Sequence, residues 1–276
     1  MGPSEGGHVQ PNPMKGMKMK LIHNFTLLAV LLLAIGPLHA EKATKGQNEV
    51  SFKEQLQKGN RTEKVKAAEI LSERFPASLG EIESAMDGES DPETRRRIAQ
   101  VLTAKHGRPR AVAILKDSMR KSDIKTHAGA FAFVMSAMAI KQGTGEVSGT
   151  KEALQLVAGP AKFADVENAP LGYVQRDGVR VMAASYLIDN LEPGKRAELE
   201  GALRSYVHEV EGTIGTSAGR DRRYWEARLT TLLEMALRAG ITSLPLEFES
   251  KQNLLQEKYE KERLQRALEK AHGKQK

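Results

Sequence analysis

The chain reads as an all-α protein, built from antiparallel helix pairs stacked one on the next and followed by a charged C-terminal helix. Three observations predict this. Between Val50 and about Leu246, apolar residues recur three and four positions apart, the period of a helix face turned towards a core. A segment beginning at Asn60 repeats, without gaps, from Asp91. Aromatic residues make up only 5% of the chain and charged residues 28%, with Ala, Leu, Glu, Lys and Arg prominent. That composition favours helices over sheets.

Residues 1–13 form a Gly- and Pro-bearing lead, with the start expected at Met14 or Met17. Lys15, Lys18 and Lys20 then precede the apolar run Phe25–Ile35. Pro37 ends the run, and Leu38-His39-Ala40 offers a cut after Ala40. Positive charge, apolar core and small residue, in that order, predict a secretory signal occupying residues 1–40. The apolar core is short of the ~20 residues a helix needs to span a bilayer. Leu38 is large for its place before the cut, so an anchor left uncleaved is the alternative. The expected location is periplasmic or secreted.

The formal charge is +7, and residues 1–40 carry Lys15, Lys18 and Lys20 against Glu5. The remaining positive excess is mild, far from the dense basic patch of a dedicated nucleic-acid binder. There is no cysteine. Disulfides, cysteine metal sites and lipid-modified cysteine are therefore excluded, and packing alone must hold an exported domain.

Residues 41–49 are polar and read as a flexible lead-in to a helical-repeat domain over 50–246. Its helices follow from apolar stripes: Val65, Ala68 and Leu71; Leu79, Ile82 and Met86; Ile98, Val101 and Leu102; Val112, Leu115 and Met119. Phe75-Pro76, Asp87–Ser90, His106–Pro109 and Lys121–Asp123 are the turns between them. A third start lies at Asp123. Its helix, Ala128 to Met138, is almost wholly apolar and is expected to be the most buried. A fourth falls at Val179–Ile188 and a fifth near Asp221, with Tyr224, Trp225, Leu229, Leu232, Leu233 and Leu237 as its stripe. Residues 141–175, with the Gly/Ser/Thr stretch Gly143–Lys151, a short helix near Lys151 to Val157 and the turn-rich Asn168–Gly172, read as an insertion. Residues 247–276 carry six acids and eight bases. They predict a solvated charged helix, docked weakly or held for a partner, with Leu254, Leu264 and Leu268 as its few anchors, and with favourable four-apart pairs at Glu257–Lys261 and Glu262–Arg266.

Helical pairs repeating at this period are the sign of a solenoid. Asn60-Arg-Thr-Glu-Lys-Val-Lys-Ala-Ala-Glu-Ile-Leu71 aligns on Asp91-Pro-Glu-Thr-Arg-Arg-Arg-Ile-Ala-Gln-Val-Leu102. The second of these, and Asp177-Gly-Val-Arg-Val-Met-Ala-Ala-Ser-Tyr-Leu187, resemble the second-helix opening of HEAT-like repeats. The resemblance spans about residues 60–240, through the windows 60–71, 91–102 and 177–188. It implies that Asp91 and Asp177 cap helices. It also implies that Arg95 or Arg96, and Arg180, pair with acids of a neighbouring repeat.

No motif nominates catalysis. Gly143–Lys151 lacks the Gly-Lys-Ser/Thr ending of a phosphate loop. Asp87–Glu93 alternates acids as a calcium loop does, but Pro92 and Ile98 stand where glycine and glutamate are required. His106, His127, His208 and His272 form no short pair, and no serine sits in a nucleophile elbow. Asn60-Arg61-Thr62 is a glycosylation sequon only on a eukaryotic secretory route. The expected function is a non-catalytic interaction or scaffold module, needing no cofactor or metal and binding another envelope protein. Its candidate surface is the set Arg95, Arg96, Arg97, Arg108, Arg110, Arg220, Arg222 and Arg223. Interspersed acids make ion pairs between repeats the plainer role for the same residues. The alternatives are a ligand or enzyme site at 141–175, and nucleic-acid binding through the arginine clusters.

Overall fold

The computed structural model describes residues 48–159, 172–190 and 193–273, and the expected signal and the cut after Ala40 lie outside them. The described residues are helical, without a strand. In chain order the helices are α1 (Glu49–Lys58), α2 (Arg61–Arg74), α3 (Leu79–Gly88), α4 (Pro92–His106), α5 (Pro109–Lys121) and α6 (His127–Thr144). Then come α7 (Thr150–Ala158), α8 (Gly172–Asn190), α9 (Arg196–Thr216), α10 (Gly219–Arg238), α11 (Ser243–Glu247) and α12 (Lys258–Gly273). Among the described residues no helix is long and apolar enough to cross a membrane.

Local chemistry sets where the helices start and stop. Asn60 accepts from the Glu63 amide at 3.1 Å, and the Glu63 carboxylate accepts from the Asn60 amide at 2.7 Å. This reciprocal box satisfies two amides that a helix start leaves open. Asp91 caps α4 by accepting from the Thr94 amide, with Pro92 in the first turn where no N–H is needed. Thr126 caps α6 by accepting from the Gly129 amide at 3.1 Å. Gly107 ends α4 at φ 56°, a conformation that favours glycine.

The helices pack in an ordered succession. α2 touches α4, α4 touches α6, α6 touches α8, α8 touches α10, and α10 touches α12. The odd-numbered helices lie against this row: α1 on α2, α3 on α4, α5 on α4 and α6, α7 on α8 and α9, and α9 on α10. The sequence windows 60–71, 91–102 and 177–188 fall on α2, α4 and α8, all members of the row. α6 supplies the apolar centre expected of it, burying Phe133, Val134, Met138 and Ile140 among others. α4 and α6 come close at Gly143, where a Cβ would stand 1.7 Å from the Thr103 carbonyl oxygen.

The expected short helix near Lys151 is present as α7, which buries Ala153, Leu154, Leu156 and Val157 against α8 and α9, while α6 continues to Thr144. Residues 160–171 lie outside the described residues. The C-terminal helix is docked rather than solvated. Leu264, Ala267, Leu268 and Ala271 form a buried stripe three and four residues apart, and Ala267 and Ala271 pack with Leu237 of α10. Half of that stripe is alanine, which adds little to hydropathy yet lets two helices come close. Its charges also reach across. Arg263 donates to Glu234 at 2.7 and 3.1 Å, and Thr230 donates to the buried Glu260.

Candidate functional site

Most of the candidate arginines are engaged by acids or carbonyls, and Arg108, Arg110 and Arg222 join different helices. Arg108 at the start of α5 donates two bonds of 2.6 Å to Glu83 of α3. This fork-to-fork pairing fixes orientation as well as distance, and it holds the Glu83 carboxyl below its ordinary range. Arg97 and Arg96 both donate to Glu93 on their own helix. Arg222 bonds Glu226 at 2.9 Å, the Ile214 carbonyl at 3.2 Å and the Leu254 carbonyl at 2.7 Å. It thereby joins the end of α9, the body of α10 and the approach to α12. Glu226 is fully buried and also accepts from the Gln256 and Glu257 amides. Arg223 reaches Glu257 at 3.9 Å, and Arg220 is exposed.

The two residues that the resemblance ties to α8 divide. Arg180 pairs with an acid of the next helix in the chain: it donates to Glu209 of α9 at 2.6 Å, and to the Val157 carbonyl. Asp177 does not cap a helix, because α8 begins at Gly172 and Asp177 stands inside it. It is 2% exposed and accepts from Tyr206 Oη, from Tyr224 Oη at 2.5 Å, and from Arg228 Nε. Burial pushes the Asp177 carboxyl above its usual range, against the pull of Arg228. Burial and the Asp177 charge push the Tyr224 phenol up to about 12, so it stays a proton donor throughout the neutral range. This cluster fastens α8, α9 and α10. No sequence signal marks it, because Tyr224 sits in an apolar stripe and its partners come from three helices. Arg95 and Arg96 do not form the implied ladder either. Arg96 pairs within α4, and Arg95 has no ion-pair partner among the described residues.

Arg95 instead lines a groove of about 720 Å³ between α3, α5 and α6, at the start of α4. Arg96 and Arg110 line it as well, so the structure gathers three of the sequence candidates in one place. Pro92, Ala113, Ile114 and Ala132 provide apolar walls. The other cations are engaged: Arg96 with Glu93, Lys121 with Asp117, and Arg110 with Asp87 at 2.9 Å. The Arg110 contact sets its Nε on Asp87 Oδ1, so that carboxylate already faces a cation. Arg95 Nε and Arg96 Nη1 are buried donors with no acceptor. Each unmet buried group costs about 1–3 kcal/mol, so the two donors beside one groove make it a place that gains by receiving an acceptor. Among the described residues, no three His, Cys, Asp or Glu side chains are placed to hold a metal ion. His127 is half-buried and stacks near Phe131, with ring centroids 6.2 Å apart. No protein-family model matches the chain, and no curated protein or solved structure is significantly similar to it.

Proposed function

We propose that the chain is an exported, non-catalytic protein of the HEAT-like helical-repeat type, acting as an interaction or scaffold module in the cell envelope. The observation that carries this reading is the unbroken row α2, α4, α6, α8, α10 and α12, each member touching the next, with paired helices against it. Stacked pairs make extended surfaces suited to recognising another chain. The sequence of residues 14–40 supports export. Most of the candidate arginines are already bonded to carboxylates. They are poorly placed to neutralise a run of phosphates, which favours a protein partner over nucleic acid.

The test is expression of the full chain from Met14 with a C-terminal tag, followed by fractionation, N-terminal sequencing and chemical crosslinking in intact bacteria. A chain beginning at Glu41, found outside the cytoplasm and carrying a crosslinked protein of one recurring mass, agrees with the proposal. A cytoplasmic chain with an intact N-terminus, or crosslinks that never repeat, contradicts it.

A further inference from the structure

The groove at the start of α4 carries a pattern of unmet polar atoms that describes a ligand. Arg96 is 5% exposed, and its Nε and Nη2 grip Glu93 while Nη1 lacks a partner. Arg95 beside it presents an unmatched Nε and, alone among the groove's cations, has no carboxylate partner among the described residues. Apolar surface from Ile114 and Ala132 belongs to the same groove.

We propose that this groove binds an extended peptide segment presenting a carboxylate next to an apolar side chain. The carboxylate accepts from Arg95 and Arg96, and the apolar side chain covers Ile114 and Ala132. This rests on the protein-binding reading above and narrows it to acidic segments. The charge balance separates a carboxylate from a phosphate. Asp87, Glu89, Glu93 and Asp117 also line the groove, and they repel a dianion more than a monoanion. A single free guanidinium suits a single carboxylate, whereas a phosphate gains from several unpaired donors.

The test titrates the chain from Glu41 onwards, labelled with ¹⁵N, while following the arginine Nε–Hε resonances. Three amidated, acetylated probes differ at one position: Ala-Leu-Glu-Leu-Ala, its Gln counterpart and its phosphoserine counterpart. The Glu probe is expected to move the Arg95 resonance saturably, and the Gln probe to bind about tenfold more weakly or worse. Arg95→Gln is expected to weaken the Glu probe by about the same factor at an unchanged melting temperature, while Arg220→Gln changes nothing. The contrast between Glu and Gln probes holds the proposal to account even where a variant fails to fold. Equal binding of Glu and Gln, no saturation by ~10 mM, or tighter binding of phosphoserine overturns it. A chain that crosslinks a partner in the envelope yet ignores all three probes refutes the acidic-segment assignment alone. A chain that binds the Glu probe but has no recurring partner leaves the groove standing without the scaffold.

Discussion

Asp177 carries more structural weight than its place in the sequence suggests. The motif around it reads as a helix opening, and only the longer observed helix shows that its carboxylate turns inward to two phenols and a guanidinium. Cap and buried anchor use the same residue type, so local sequence cannot separate them. Asp91 shows the converse: Pro92 after it and Thr94 three positions on make it legible as a cap. The buried cluster gives a clear expectation. Asp177→Ala strands Arg228 and is expected to cost about 3–5 kcal/mol in urea denaturation. The double change Asp177→Leu with Arg228→Met removes both charges and is expected to recover much of that loss. Additive losses in the double variant would show that the charges do not act as a pair. The groove arginines tell a similar story about legibility. Arg95, Arg96 and Arg97 look alike in sequence, and only the carboxylate of Glu93, reaching two of them, singles out the third.

At the scale of elements, the periodic apolar pattern placed α2 to α6 and α10 well, because each buries a stripe that includes large side chains. It also placed the short helix α7 and the C-terminal helix α12; what it understated was the docking of α12, whose stripe is half alanine. That docking is testable. Leu268→Ala is expected to lower stability by about 2–5 kcal/mol, and native-state hydrogen exchange should show α12 opening before α10. Exchange of α12 as fast as a free peptide in the unaltered chain would mean the helix is solvated after all. The α4–α6 crossing gives a sharper contrast. Gly143→Ala sets a methyl on the Thr103 carbonyl and is expected to destabilise by about 1–3 kcal/mol or more. Gly80→Ala, which meets nothing within 4 Å, is expected to stabilise α3 by about 0.5–1 kcal/mol. Equal effects at the two sites would remove the close approach from the account.

At the scale of the molecule, ion pairs recur from one helix pair to the next: Lys105–Glu73 and Arg108–Glu83 near one end, Arg180–Glu209, Arg204–Glu247 and Arg263–Glu234 further along. The sequence supplied the acids and bases but not their partners, since these lie some 25 to 43 residues apart. The pairs set a pH dependence. Glu83, Glu89 and Glu93 have carboxyls below the ordinary value of 4.5. Hydrogen bonds from Arg108 and Lys64 cause it for the first two; at Glu93, burial opposes the shift and Arg96 and Arg97 overcome it. A carboxylate lowered in the folded state stabilises the fold above its unfolded value and ceases to do so as pH falls through its folded value. Melting temperature is therefore expected to hold near neutrality and drop below about pH 4.5. Glu69 and Asp177, raised by burial, soften the drop, because their protonation relieves buried charge. Moderate salt is expected to shrink the effect, as most of the pairs are partly exposed. A melting temperature that rises on acidification would reverse the sign and refute this assignment. The central claim is that the helical row serves recognition through the groove at α4. Its most direct measurement is photocrosslinking in intact bacteria from p-benzoylphenylalanine placed at the exposed groove residue Ala113. The account predicts one protein adduct that disappears when Arg95→Gln is added, while total protein level stays constant. An adduct indifferent to Arg95, or none at all, would contradict it.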